Sequence, residues 1–458
     1  MNILILNGSP KGEKSISLFY AKYLIKKFPN IKFEIVNISS KIRIIENNND
    51  KFNEIVTKIT KADGLIWALP VYVLSVPGQV MRFYELVRNR CEPDVFQGKY
   101  VSSIITSMHY FDHNAMLYLQ AQTEDLNGYF VEGFSAEMFD IKQPKIRKNL
   151  INYANMFFSY IDEKKPVIKR FYNFEKNKIN DVLFYDPNMD CLLPVKHNSN
   201  IVLISNNDVF DNNVNQMIGV FKKIMGDSVE HIRIENINLK GGCLGCLQCS
   251  QEGICVYNDD YEKYKTIIKN ADAVIYALKI NHHSFGSSFK MFADRGFSNG
   301  HRVKKNFFTG FLISGPLYYE NHVQNIIDGI NYGGKSAFDG NVVCDYKVNS
   351  DELTKLIEVF CQNLIRSIDL GYNKPTNFYG VAAHKIFRDL VFATSSLQRA
   401  DDYYYKKNNL YDFPTWDYKT RLLNLFVKII TLPKGMRKSF NKKINTMMIK
   451  DFEKIIES

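Results

Sequence analysis

The chain has 458 residues, of which 45% are hydrophobic and 23% charged, with 33 Phe and 27 Tyr. That composition excludes a disordered chain, and the length favours two or three cores over one. The formal net charge is +11, but Lys, Asn and Ile are abundant throughout, so the charge reads as a compositional bias and no nucleic-acid partner is expected.

The first element is a strand over Ile3 to Leu6, followed by a Gly/Ser/Pro turn and an apolar-periodic helix over Ile16 to Phe28. Further strands are predicted at Phe33 to Ile38, Leu65 to Leu69 and Tyr100 to Thr106, with a helical pattern over Phe52 to Ile59 between them. This alternation predicts a parallel sheet flanked by helices. The pattern then restarts. Ile201 to Ser205 echoes the first strand, and Ala62 to Leu69 reappears as Ala271 to Leu278. On that offset Ser75 matches Ser284 and Phe83 matches Phe292, and farther on Tyr100 to Ser107 corresponds to Phe307 to Ser314. The expected fold class is therefore α/β: two tandem domains over 1–165 and 200–373, and a mainly helical extension over 374–458. The linker, 166–199, is rich in Lys and Asn and contains Pro166, Pro187 and Pro194. The extension has helical patterns at His384 to Leu397 and Thr420 to Leu432 and no strand signal.

The longest uncharged stretch, 64–81, contains Pro70, Pro77 and Gly78, so it is not read as a membrane span. The N-terminus lacks the basic and apolar regions of a signal peptide, so a cytoplasmic, reducing compartment is expected, where the eight cysteines would not form disulfides.

Asn7 to Ser15, with Gly8-Ser-Pro-Lys-Gly12, sits between a strand and a helix N-terminus, where backbone N–H groups can hold a phosphate. A plain turn with a helix cap fits those residues equally well. The second segment, Pro70-Val-Tyr-Val-Leu-Ser-Val-Pro-Gly-Gln79, follows the third strand at the same sheet edge. Together the Gly-Ser-Pro loop and the Pro-x-Tyr-x-x-Ser-x-Pro-Gly loop resemble the flavodoxin-like NAD(P)H-dependent FMN reductases. The resemblance implies that Ser9, Lys11 and Ser15 hold the FMN phosphate and that Pro70, Val71, Tyr72 and Val73 border the ring. The family's third flavin loop falls at Ser107 to His113, where Met108-His-Tyr-Phe-Asp-His113 departs from the usual pattern.

Gly241 to Cys255 contains a Cys-x2-Cys-x2-Cys-x5-Cys array followed by Asp259-Asp260. Such compact spacing suits one cubane better than a zinc site built from two separated Cys pairs. The array resembles the cluster motif of the iron-sulfur flavoproteins of the same superfamily, which implies a 4Fe-4S cluster on Cys243, Cys246, Cys249 and Cys255. Zinc, redox-active thiols and a metal-free loop stay open as alternatives.

The second repeat lacks the Gly-Ser-Pro loop and places Asp208 and Asp211 there, so no second FMN is expected. Lys290 and Arg295 could meet an anion such as the NADPH phosphate, but a helix salt bridge with Asp294 is the favoured reading. His282 and His283 stand where the first repeat has Val73 and Leu74, and a solvated loop is expected there. Cys91, Cys191, Cys344 and Cys361 are read as packing or surface cysteines, and the aromatic and charged residues of 399–407 and 411–414 as packing. Residues 434–450 carry six basic and no acidic residues; a solvated helix face is favoured over peripheral membrane contact.

The resemblance implies an oxidoreductase that moves electrons from NAD(P)H through FMN, and through the cluster, to a small-molecule or protein acceptor. No catalytic residue is assigned. Single-domain relatives place FMN at a dimer interface, so a pseudo-dimer within one chain is expected, and a homodimer stays open. The rivals are a non-catalytic electron carrier or redox sensor, and a quinone or nitro-compound reductase with a structural Cys loop.

Overall fold

Apolar runs buried along almost their whole length build two parallel sheets, as expected where helices cover both faces. The computed structural model describes residues 1–91, 95–174, 182–206, 212–296, 307–333, 337–437 and 439. Its first sheet contains β1 (Asn2–Asn7), β2 (Lys32–Asn37), β3 (Gly64–Pro70), β4 (Tyr100–Thr106) and β5 (Tyr129–Phe130), in the order β2-β1-β3-β4-β5. β6 (Phe134–Ala136) also pairs with β4. The second sheet contains β7 (Ile201–Asn206), β8 (Val229–Arg233), β9 (Ala273–Lys279), β10 (Phe308–Ser314) and β11 (Val342–Cys344), in the order β8-β7-β9-β10-β11. Both sheets thus have the doubly wound order 2-1-3-4-5, which opens a crevice at the carboxyl ends of the strands where the order reverses.

Two compact units divide the chain, Met1–Asp401 and Asp402–Ser458. In the first, helices Asn321–Gly333 and Phe378–Ala393 pack together, the second one capped by Asn377. The second unit contains the helix Tyr418–Ile430, capped by Asp417. No described helix is long and apolar enough to cross a membrane.

The repeats meet through equivalent helices, Gly78–Arg90 and Ser287–Arg295, which begin 209 positions apart. A β-carbon at Gly78 would lie 2.8 Å from the backbone nitrogen of Met291, so glycine permits the close approach. Each helix caps the other. The Gly78 N–H donates to Asp294 Oδ2 at 2.9 Å, and the Ser287 N–H and hydroxyl donate to the two carboxylate oxygens of Glu85, both at 2.6 Å. Glu85 and Asp294 are themselves related by the same offset. An acid on each helix therefore satisfies orphan donors at the other's positive end.

Asp294 also pairs with Lys290, whose ammonium donates to the Tyr72 carbonyl at 2.8 Å. Lys290 and Asp294 are both almost fully buried. Burial lowers the Lys290 pKa and raises that of Asp294, and their mutual attraction opposes both shifts. Asp294→Ala should destabilise the fold by about 3–5 kcal/mol in denaturant unfolding, because it strands a buried ammonium. The double variant Lys290→Met/Asp294→Ala should recover much of that loss, since Met is the residue at the related position, Met81. Equal loss in both variants would show that the pair is not the cause.

Candidate functional site

The β1-to-helix turn places Ser9 and Ser15 beneath the surface, both at most 2% exposed. Ser9 Oγ accepts from the Lys11 N–H at 3.3 Å. Ser15 is the N-cap of the helix Ile16–Lys27 and accepts from the Leu18 N–H. Gly12, at φ +55°, turns the chain between them, and its carbonyl accepts from Asn7 Nδ2 at 3.0 Å. Ser17 at the helix start bonds Thr106 at the end of β4, 2.9 Å away. A short polar loop is thus held at a helix N-terminus over the crevice.

Pro70 ends β3, and the Val71 N–H donates to the Thr106 carbonyl at 3.2 Å. Tyr72 and Ser75 exchange backbone hydrogen bonds across a tight turn in which Val73 and Leu74 take φ of +26° and +69°. Positive φ is costly for a β-branched residue and persists only where surroundings enforce it. The second repeat builds the same turn from Asn281 to Ser284, with His282 and His283 at +45° and +62°.

The Cys loop lies against this turn. A β-carbon at Gly245, between Cys243 and Cys246, would overlap the Tyr72 hydroxyl and stand 3.0 Å from Lys11 Cε. Gln79 Nε2 donates to the Cys243 carbonyl at 3.2 Å. The structure therefore brings the Cys loop to Lys11 and Tyr72, both more than 160 positions before it. Tyr72 Oη, Ser75 Oγ and Gln79 Oε1 are buried with no hydrogen-bond partner among the described residues. Buried polar atoms are normally satisfied, so this edge is chemically prepared for a polar ligand. Burial, reinforced by Cys243, Asp294 and Cys246, pushes the Tyr72 hydroxyl well above its ordinary pKa, keeping it a neutral donor.

Around the thiols, the Gly245 N–H donates to Cys243 Sγ and Arg295 Nη2 donates to Cys255 Sγ, each at 3.4 Å. Burial, with help from Asp294 and the neighbouring thiols, pushes the Cys243 pKa up to about 12. Burial, then Cys246 and Cys255, raises that of Cys249. Four thiols that influence one another, two of them receiving N–H donors, form a donor set suited to soft metal chemistry. As placed, they are not converged: among the described residues, no group of three or more His, Cys, Asp or Glu side chains is gathered to hold an ion.

Arg295 pairs bidentately with Asp259 at 2.6 and 2.8 Å and lies over Tyr257 and Tyr261. The helix salt bridge expected for this segment is therefore Lys290 with Asp294, while Arg295 braces the Cys loop. Of the isolated cysteines, Cys361 is buried, Cys191 exposed, and Cys91 and Cys344 half-buried.

One reading changes in the second repeat. His283 is not in a solvated loop: its side chain is fully buried, and Nδ1 lies 2.7 Å from Glu320 Oε1. Asp125 stands 3.9 Å away on the other side and pairs with Arg88 at 2.6 Å; Tyr172 donates to Glu320, and His322 Nε2 meets the His283 carbonyl. Burial disfavours the charged imidazole, but Asp125 and Glu320 outweigh it and hold His283 at about 9. Its pKa is thus above the ordinary 6.5. The stabilisation, about 3 kcal/mol for a shift of this size, is complete below the ordinary value and lost as pH rises through about 9. Wild-type stability should fall over that interval and His283→Gln should flatten the profile; an unchanged profile in the variant would place the effect elsewhere.

Asp208 and Asp211 lie outside the described residues. Another acid, buried Asp345 after β11, accepts from Asn213 in the first turn of the helix Asn212–Met225, from Ser314 and from the Gly315 N–H, at 2.8, 2.7 and 2.9 Å. A carboxylate already stands at this helix N-terminus.

The third loop of the first repeat also turns toward the second. Asp112 holds it through His109 and Ser135 at 3.0 and 2.6 Å. Tyr110 donates to the Tyr379 carbonyl, and Phe111 packs on the Tyr379 ring. A β-carbon at Gly329 would lie 2.7 Å from both Leu74 and Phe111. Phe111 thus meets the second repeat at Gly329, while Tyr110 and Phe111 meet the helix that follows that repeat. The roles of Gln79 and Glu85 and the Lys290 bond to Tyr72 were missed from sequence; the matched acids Glu85 and Asp294 were the one available signal.

Two sheets in the 2-1-3-4-5 order, each with its loops at the carboxyl edge, define a flavodoxin-like protein in two repeats. Residues 1–151 match the family model described as NADPH-dependent FMN reductase. An iron-sulfur flavoprotein of Clostridioides difficile (strain 630) is 27% identical over 195 residues, covering 38% of this chain and 86% of the relative. An iron-sulfur flavoprotein of Archaeoglobus fulgidus is 36% identical over 72 residues, covering 16% of this chain and 31% of the relative. Among solved structures, an apo NADH:FMN oxidoreductase aligns with a TM-score of 0.30 at 20% identity, over 34% of this chain and 87% of that one. An NAD(P)H:(acceptor) oxidoreductase of Paracoccus denitrificans aligns with a TM-score of 0.29 at 16% identity, over 35% and 97%. The family match falls on the first repeat alone.

Proposed function

We propose that the chain oxidises NAD(P)H with one FMN held by the first repeat and passes the electrons through a 4Fe-4S cluster held by the second. The observation that carries this reading is the Cys loop lying against Lys11 and Tyr72. Ser9, Lys11 and Ser15 would hold the phosphate, and Pro70, Val71, Tyr72 and Val73 would border the ring. Cys243, Cys246, Cys249 and Cys255 would ligate the cluster.

Bound FMN supplies exchange between a hydride's electron pair and single electrons, and a cluster supplies single-electron exchange. The protein supplies placement. Lys290 fixes the Tyr72 carbonyl from the other repeat, and Gln79 fixes the Cys243 carbonyl. The paired helices act as the interface that two chains would otherwise provide, making a pseudo-dimer within one chain. The carboxylate of Asp345 at the second repeat's helix N-terminus favours one FMN per chain.

Anaerobic steady-state oxidation of NADH and NADPH tests the activity. Turnover with either, dependent on bound FMN, is expected; a flavin-loaded protein that oxidises neither would instead be a non-catalytic carrier. Turnover that persists with an artificial quinone when the Cys loop holds no iron would favour a reductase with a structural loop.

A further inference from the structure

The helix Tyr418–Ile430 in the second unit has no buried residue. Leu422, Leu425, Phe426 and Ile429 follow the i, i+3, i+4, i+7 spacing of one helix face, yet are 67%, 54%, 61% and 56% exposed. Arg421, Asn424 and Lys428 fall on the opposite face. In a globular context such a stripe would be covered, but no described residue of the same unit covers it. The charge pattern indicates what does: residues 418–450 contain nine Lys or Arg and no Asp or Glu.

We propose that this helix docks on an anionic lipid surface, with the stripe of Leu422, Leu425, Phe426 and Ile429 entering the headgroup boundary and the basic residues meeting the lipid charges. The charge selects this occupant over the others. A second copy of the helix would bring like charges together, and the segment 440–458, with four Lys against Asp451, Glu453 and Glu457, has no net negative charge to offset them. An anionic surface neutralises them. This inference is independent of the flavin reading and adds an interaction surface to it.

The test is flotation of the full chain with phosphatidylcholine vesicles, with and without phosphatidylglycerol. The chain should float with the anionic vesicles, stay behind with the neutral ones, and be released by added salt. Leu422→Asp/Phe426→Asp should abolish flotation. Lys419→Gln/Lys428→Gln should weaken it by about 25-fold, from about fivefold per basic residue. Far-ultraviolet circular dichroism and the thermal midpoint should match wild type in both variants. Equal flotation with both vesicle types, or none with either, would overturn the proposal. In the second case, a dimer that Leu422→Asp/Phe426→Asp dissociates would assign the face to a second copy, and a monomer would assign it to a cover from within the chain.

Discussion

Replacing any one of Cys243, Cys246, Cys249 or Cys255 with Ser is expected to remove the broad visible absorption and acid-labile sulfide of anaerobically purified protein while leaving FMN bound. Losing one thiolate leaves an iron with an open coordination position, and the cluster is lost as a unit rather than by a quarter. The flavin should remain because the residues proposed to hold it belong to the other repeat. Cys361 and Cys344 serve as controls: they lie far along the chain from the array, and Ser there should leave sulfide unchanged. Stoichiometric zinc without sulfide in the wild-type protein would refute the cluster reading, and loss of FMN in every Cys variant would show that the two sites are not separable.

Ser9→Asp should release most of the FMN. Ser9 is only 2% exposed, so an added carboxylate there cannot swing into solvent, and it would face the phosphate at close range. Losing one charge-assisted hydrogen bond, worth about 1.5–3 kcal/mol, weakens binding by roughly 10- to 150-fold even before repulsion is added. Flavin fluorescence after gel filtration measures the effect, with the thermal midpoint of the flavin-free protein as the check on folding. Unchanged flavin content would move the phosphate away from the Gly8 to Ser15 loop.

Much of the fold was legible because the central strands of parallel sheets are long apolar runs. Tyr100–Thr106 appears in the structure with the bounds that the sequence suggests, and β1, β2 and β3 differ by one residue at each end. The short edge strands were not legible. Tyr129–Phe130, Phe134–Ala136 and Val342–Cys344 are two or three residues long, too short for any periodicity, and only pairing with β4 or β10 makes them strands. Val229–Arg233 was missed for a different reason: its alternation is interrupted by Glu230, His231 and Arg233, which edge strands tolerate.

The candidate site divides along the same line. Loops whose identity rests on local motif, Asn7 to Ser15 and Pro70 to Gln79, could be found from sequence. His283 could not, because a polar dipeptide in a turn looks solvated unless Asp125 and Glu320, 158 and 37 positions away, are known to flank it. The same holds for Lys290, which reads as one end of a helix salt bridge. Its second bond, to the Tyr72 carbonyl, depends on how the repeats dock.

The most direct measurement is the cofactor content of anaerobically purified full chain, with flavin, iron and acid-labile sulfide determined on one sample and related to its visible spectrum. One FMN per chain, together with iron and sulfide in equal amounts, is the expected result. Two FMN per chain, or FMN without iron and sulfide, would contradict a flavin in the first repeat served by a cluster in the second.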